Sequence, residues 1–280
     1  MTPQPPPTPI VVAIDGSQAA LEAALWAVDE AAMRGTALRL VHVIDIEDEI
    51  YRDLDDDPAE IARDWPEAES GRASLSAAAA AVRGVGTSVP IETQILWGEI
   101  DLTLIEESRT ATMVCLGSAG ISPLCHSVIG STAATLAERA LSPVAVIRSP
   151  RSSTASEPTW IVAVVDGGPS SDAIVACALD EARMRRAPVL AVWITRRDRE
   201  NIRVDDLGRR TAAWTRGRPD LHIHPGVVTT DVAGFLQQHN DLSVQLTIVG
   251  AVDAKDTVAI VGPRHRTRQP RSRCSLLVVR

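Results

Sequence analysis

Apolar residues in the first half of the chain fall into short continuous runs, separated by segments in which they recur at helical spacing. Ile10-Val11-Val12-Ala13-Ile14 is the first run, an unbroken stretch of β-formers of the kind a parallel strand buried on both faces requires. Asp15-Gly16-Ser17 follows, and then Leu21, Ala24, Leu25, Val28, Ala31 and Ala32 recur at the period of a helix, with Ser17 as its predicted cap and Gly35 as its stop. Leu38 to Val43 predicts a second strand. Asp57-Pro58-Ala59-Glu60 reads as a helix start, and Ala77 to Val82 continues a helix that Gly84 and Gly86 end. Val89 to Leu96, Thr112 to Leu116 and Pro143 to Ile147 predict three more strands, with a helix over Asp101 to Arg109. Alternation of this kind predicts an α/β fold with a parallel sheet, right-handed crossovers and helices on both faces. Ligands of such sheets bind beyond the C-terminal strand ends, where the strand order reverses. Asp15 closes the first strand and Gly117 the fourth, so both face one crevice if those strands are neighbours.

The pattern then starts again. Trp160-Ile161-Val162-Ala163-Val164-Val165-Asp166-Gly167-Gly168 repeats the segment from Ile10 to Ser17 at a shift of 151. Asp180-Glu181-Ala182 matches Asp29-Glu30-Ala31, and Ala191-Val192-Trp193 matches Leu40-Val41-His42, at the same shift. The chain is therefore read as a tandem duplication. Residues 1–9 are a proline-rich leader, 10–150 the first domain, RSSTASEP at 151–158 a polar linker and 159–280 the second domain. The second copy is shorter because it lacks a counterpart of the acidic segment at 45–64.

Candidate chemistry gathers behind the fourth strand. Val114-Cys115-Leu116-Gly117-Ser118-Ala119-Gly120 runs an apolar strand into a Gly-x-x-Gly turn, and Gly130-Ser131-Thr132 opens a later helix. Glycine lets the backbone approach a ligand closely, and the unpaired N–H groups of a first helical turn favour an anion. Glycine after a strand also serves plain turning, and Ser131 is an ordinary N-cap residue; the hydroxyl pair tips the reading toward phosphate. A Walker loop is excluded, since the one lysine, Lys255, stands in no such context, and Asp15-Gly16-Ser17 is not a dinucleotide fingerprint. The second copy has Asp253 where the first has Gly120, and Gly262-Pro263 in place of Gly130-Ser131. A carboxylate there repels phosphate, so this copy is read as degenerate. The basic run Arg264–Arg273 that follows is read as a solvated loop before an anion-binding arm.

Composition narrows the classes further. A chain of 280 residues holds two domains with real cores, and a formal charge of −8 argues against nucleic-acid binding. No apolar run reaches the roughly 18 residues that cross a bilayer, and residues 1–9 do not resemble a secretory signal, so a cytoplasmic protein is expected. Cys115, Cys125, Cys177 and Cys274 lack Cys-x-x-Cys spacing and read as reduced thiols. The acidic segment reads as a solvated face rather than a metal site. His222 and His224 share a strand face without a third ligand. No Ser-His-Asp or paired-carboxylate arrangement emerges, so no catalytic centre is predicted.

Asp15, the tandem layout and Gly117-x-x-Gly120-x9-Gly130-Ser131 together resemble the universal stress protein family, particularly its two-domain actinobacterial members, over residues 8 to 280. The resemblance implies two tandem doubly wound parallel five-stranded sheets of Rossmann-like type, the first binding ATP with or without Mg²⁺. It implies that Asp15 and the main chain near Ala13 contact the nucleoside, that the Val41 backbone meets the adenine, and that Leu116 packs near base or ribose. Gly117, Ser118 and Gly120 would wrap the phosphates, and Gly130, Ser131 and Thr132 would donate to them. Family members often carry an arginine between the glycines; here His126 is the only candidate cation in residues 121–129. The resemblance also implies a homodimer through the last strands, and Pro143–Ile147 and Ser275–Val279 are too apolar to stand as open edges, whether the two halves or two chains pair. The expected function is nucleotide-tuned stress signalling through a protein partner, with at most slow hydrolysis. An adenylating enzyme of the same superfamily and a nucleotide-independent interaction module are the rival readings.

Overall fold

The computed structural model describes residues 8–45, 65–118, 131–148, 159–168, 170–194, 204–216, 220–228, 232–239, 242–254 and 274–280. The chain divides into two compact units, Met1–Arg148 and Ser149–Arg280.

The first unit runs β1 (Ile10–Ala13), α1 (Gln18–Arg34), β2 (Leu38–Ile44), α2 (Pro66–Gly84), β3 (Ile91–Trp97), α3 (Ile100–Glu107), β4 (Met113–Gly117), α4 (Ser131–Arg139) and β5 (Val144–Ile147). Its strands lie in the order β3-β2-β1-β4-β5, every neighbouring pair parallel. Helices α1 and α2 pack together on the sheet, as do α3 and α4, and right-handed crossovers put the two pairs on opposite faces. The apolar runs are the core: Ile10, Val12, Leu38, Leu40, Val114 and Cys115 are wholly buried.

Side chains fix the helix ends as the sequence predicts. Ser17 caps α1, its Oγ accepting the Ala20 N–H at 3.1 Å, and Gly35 ends the helix at φ 62°. Such a left-handed turn costs glycine nothing because it has no Cβ to collide. Below β1 the Thr8 carbonyl accepts the hydroxyls of Thr36 and Thr112, both at 2.6 Å, which ties the starts of three strands together. The predicted helix start at Asp57 lies outside the described residues; the described helix begins at Pro66, with Trp65 as an N-cap that makes no side-chain capping bond. Pro66 stands at the first helical position, where its missing N–H costs nothing.

The second unit repeats the plan with β6 (Trp160–Val165), α5 (Ser171–Arg185), β7 (Val189–Ile194), α6 (Val204–Trp214), β8 (Ile223–Val228), α7 (Val232–Gln238), β9 (Val244–Gly250) and β10 (Ser275–Val279). Its parallel strands lie in the order β10-β9-β6-β7-β8. The duplication extends to individual bonds. Asp15 Oδ1 accepts the Ser17 N–H at 2.9 Å, and Asp166 Oδ1 accepts the Gly168 N–H at 2.7 Å. Buried Glu30 pairs with Arg34 one turn on, as buried Glu181 does with Arg185. At the helix stop the copies differ: Arg186 holds the left-handed conformation, φ 51°, where the first copy has Gly35. The linker at 151–158 and the basic run at 264–273 lie outside the described residues.

Candidate functional site

Strands β1 and β4 are adjacent, with Ile10 opposite Met113 and Val12 opposite Cys115, and the connections diverge from this pair. A cavity of about 180 Å³ opens at their C-terminal ends. Of the residues predicted from sequence, Ala13, Asp15, Val41, Leu116, Gly117 and Thr132 line it. They arrive from β1 and the turn after it, from β2, from β4 and from the first turn of α4. Ser118 is buried but does not line the cavity; its N–H donates to the Ile147 carbonyl at 2.8 Å, so that amide is committed to the sheet rather than open to a phosphate. Ser131 is exposed at the start of α4, while Thr132 is half-buried. Gly120, His126 and Gly130 lie outside the described residues, as does Cys125.

Gly117 acts differently from a flexible turn residue. A Cβ built on it stands 2.6 Å from the carbonyl carbon and 2.8 Å from the carbonyl oxygen of Ala19. The end of β4 and the start of α1 are thus packed main chain against main chain, and the glycine is required by that contact whatever binds nearby. Its second-copy counterpart Gly250 has more room, the nearest atom being Ile174 Cδ1 at 3.4 Å.

The wall of the cavity is apolar apart from a few placed groups. Asp15 uses one carboxylate oxygen on the Ser17 N–H; among the described residues the other has no partner. The Val41 carbonyl accepts the Ile14 N–H at 2.8 Å, so one of its two lone pairs is spent within the sheet. His42, which sequence reasoning noticed only as a match to Trp193, also lines the cavity, its Nδ1 2.7 Å from the Ile14 carbonyl. Ile100, Leu104 and Ala133 complete the apolar side. They were missed because α3 and α4 reach the crevice only through the tertiary fold.

At the corresponding strand end of the second unit the described side chains are aromatic. Trp193 stands at the His42 position, 2% exposed, stacked on Trp214 with ring centroids 6.2 Å apart. The Arg210 guanidinium lies 5.5 Å from the Trp193 ring centroid, and Trp214 Nε1 donates to Asp172 Oδ1 at 2.8 Å. Helix α6 therefore brings an indole and a cation against the Trp193 ring. An open groove of about 550 Å³ beside α6 includes His222 and His224 in its lining, but the His224 ring packs edge-on against Trp160 at 5.1 Å. Among the described residues no three His, Cys, Asp or Glu side chains gather as metal ligands. Cys115 and Cys274 are buried and Cys177 half-buried, all as free thiols.

Comparison with known proteins follows the same lines. The sequence profile of the universal stress protein family matches residues 7–148. Universal stress protein Rv2624c of Mycobacterium tuberculosis is 40% identical over 271 residues, covering 97% of this chain and 96% of the relative. Universal stress protein Rv2028c of the same organism is 32% identical over 277 residues, covering 98% and 96%. Among solved structures, a universal stress protein from Archaeoglobus fulgidus superposes with a TM-score of 0.69 over 98% of this chain and 97% of its own, at 13% identity, a likeness of fold.

Proposed function

The chain belongs to the universal stress protein family, and from that premise we propose that its first domain binds ATP at the C-terminal ends of β1, β2 and β4. The observation that carries this reading is the convergence of Ala13, Asp15, Val41, Leu116, Gly117 and Thr132, from four separate stretches of chain, on one cavity. An apolar slot with a few placed polar groups is the usual form of a small-molecule site. Its volume suits a purine base, with the ribose toward the open oxygen of Asp15 and the phosphates leaving past Thr132 toward the N-terminus of α4. Unpaired N–H groups and the helix dipole favour an anion there. Mg²⁺ would accompany the phosphates without a dedicated protein ligand cluster.

Bound nucleotide, in this reading, tunes a surface that a protein partner or a second copy of the chain recognises, the last strands being the expected pairing edge in a cytoplasmic protein. Hydrolysis is at most slow, because no general base is placed near the phosphate end. One nucleotide per chain follows from Asp253 and Pro263 standing where the first copy has Gly120 and Ser131. Mass spectrometry of the small molecules released on denaturation should find an adenine nucleotide, and calorimetric titration of the emptied protein with ATP should give a stoichiometry near one per chain. Two equivalent sites would contradict the reading, and no binding at all would refute it.

A further inference from the structure

A strand at the edge of a sheet offers a row of unpaired main-chain groups to any chain that can lie beside it. The edges of this protein are treated differently from one another. Along β5 the residues are 0–3% exposed, and Ser275 to Val278 of β10 are buried, so the last strands are covered. At β8 the Val189 N–H donates to the His222 carbonyl, which turns the main chain of His222 and His224 toward β7 and that of Ile223, Pro225 and Val227 outward. Pro225 thus stands where an added strand would need an N–H, and the edge is blunted. β3 has neither cover nor block. The Leu38 N–H donates to the Pro90 carbonyl and the Gly98 N–H to that of Ile44. Glu92, Gln94 and Leu96 therefore bond to β2, and Ile91, Thr93, Ile95 and Trp97 turn their N–H and C=O groups outward. The strand has 7 residues, no proline and an unbroken register, and Glu92, Thr93 and Gln94 are exposed. Its one charge, Glu92, is folded back onto Arg39 of β2 at 3.3 Å.

This edge is complementary to itself. An antiparallel pair of β3 strands about a two-fold axis at Thr93 sets Thr93 opposite Thr93 of the second copy, Ile91 opposite Ile95, and Glu92 opposite Gln94. Hydroxyl meets hydroxyl, branched chain meets branched chain, and no like charges face each other. The helix above the strand obeys the same axis. α2 lies beside α1, where half-buried Ser74 and Ala81 mark the shared flank; Glu69, Arg72, Ser76, Ala80 and Arg83, all exposed, form the flank over the open edge. Trp65, just before α2, packs on Trp97 with ring centroids 6.4 Å apart, and Gly71 stands against the ring of His42, the register partner of Ile95. From Ile95 to Thr93 is about 7 Å of strand, or about four to five residues of helix, which brings Ser76 to the level of Thr93. Glu69 and Arg83 lie equally far on either side of Ser76. A two-fold axis at that level sets Glu69 of each chain opposite Arg83 of the other.

We propose that a second copy of this chain docks on this edge: two first domains join β3 to β3 in antiparallel fashion, with α2 beside α2 across the axis and the Glu69–Arg83 pairs closing the rim. The pairing does not depend on the ATP reading and uses an edge other than the last strands. Sedimentation velocity of the full chain over a concentration series tests it. Wild type should dimerise. Thr93→Pro, which removes an N–H that the chain's own ladder does not use, should be folded by circular dichroism and monomeric. Glu69→Arg and Arg83→Glu each set like charges opposite one another and should raise the dimer dissociation constant about fivefold or more. An equimolar mixture of those two variants should regain wild-type affinity, since every facing pair is then of opposite charge. The mixture carries the test even where T93P fails to fold. A monomeric wild type overturns the proposal, as does a dimer that folded T93P leaves intact, which would put the contact elsewhere. A mixture no tighter than either variant alone overturns it too.

Discussion

Gly117, marked in the sequence as a phosphate-turn glycine, has a packing requirement of its own. The Gly-x-x-Gly spacing marked it as a place where main chain must come close to something, and the nearest neighbour proves to be the Ala19 main chain. Gly117→Ala should therefore destabilise the protein by about 1–3 kcal/mol through overpacking, without nucleotide present. Gly250→Ala, whose new methyl meets only the end of the Ile174 side chain at 3.4 Å, should be near neutral. Urea denaturation of the two variants checks the contrast, and equal losses would contradict the packing account. Asp15 was marked because it closes the first strand; in the structure its carboxylate accepts the Ser17 N–H, as Asp166 accepts the Gly168 N–H in the second copy. His42 was not marked, because its place depends on the Ile14 carbonyl beside it and on Gly71 from a helix some thirty residues away, and neither relation has a sequence period.

Among the elements, strands and the α1 caps were readable because local chemistry decides them: continuous apolar runs, a hydroxyl at Ser17, glycine at 35. The start of α2 at Pro66 was not, since its N-cap Trp65 makes no side-chain capping bond and so leaves no capping signal in the sequence. The repeat exposes a further local cost. α5 ends on Arg186 at φ 51°, and a residue with a Cβ is strained there. Arg186→Gly should raise stability by about 0.5–1 kcal/mol, read as a higher urea midpoint at unchanged slope. The glycine's extra freedom in the unfolded chain keeps the gain from being larger. A lower midpoint would mean that Arg186 makes side-chain contacts outweighing its backbone strain.

At the scale of the molecule, duplication was visible in the shift of 151, and the strand orders repeat it; Asp253 and Pro263 carry the expectation of a degenerate second copy. What the sequence could not display was the packing of Trp193 on Trp214, because stacking is a relation between β7 and α6 rather than a motif. Since ligand stabilises only the state that binds it, saturating ATP at about 100 times its Kd should add about 2.7 kcal/mol to the first domain. Scanning calorimetry should then show the transition of the first domain rising while that of the second stays in place. Equal rises in both would mean that the second unit also takes nucleotide or unfolds only together with the first. The stacked pair Trp193–Trp214 gives the rear half a built-in spectroscopic standard: an effector that perturbs indole fluorescence without altering that pair's signal must be acting on Trp26, Trp65, Trp97 or Trp160.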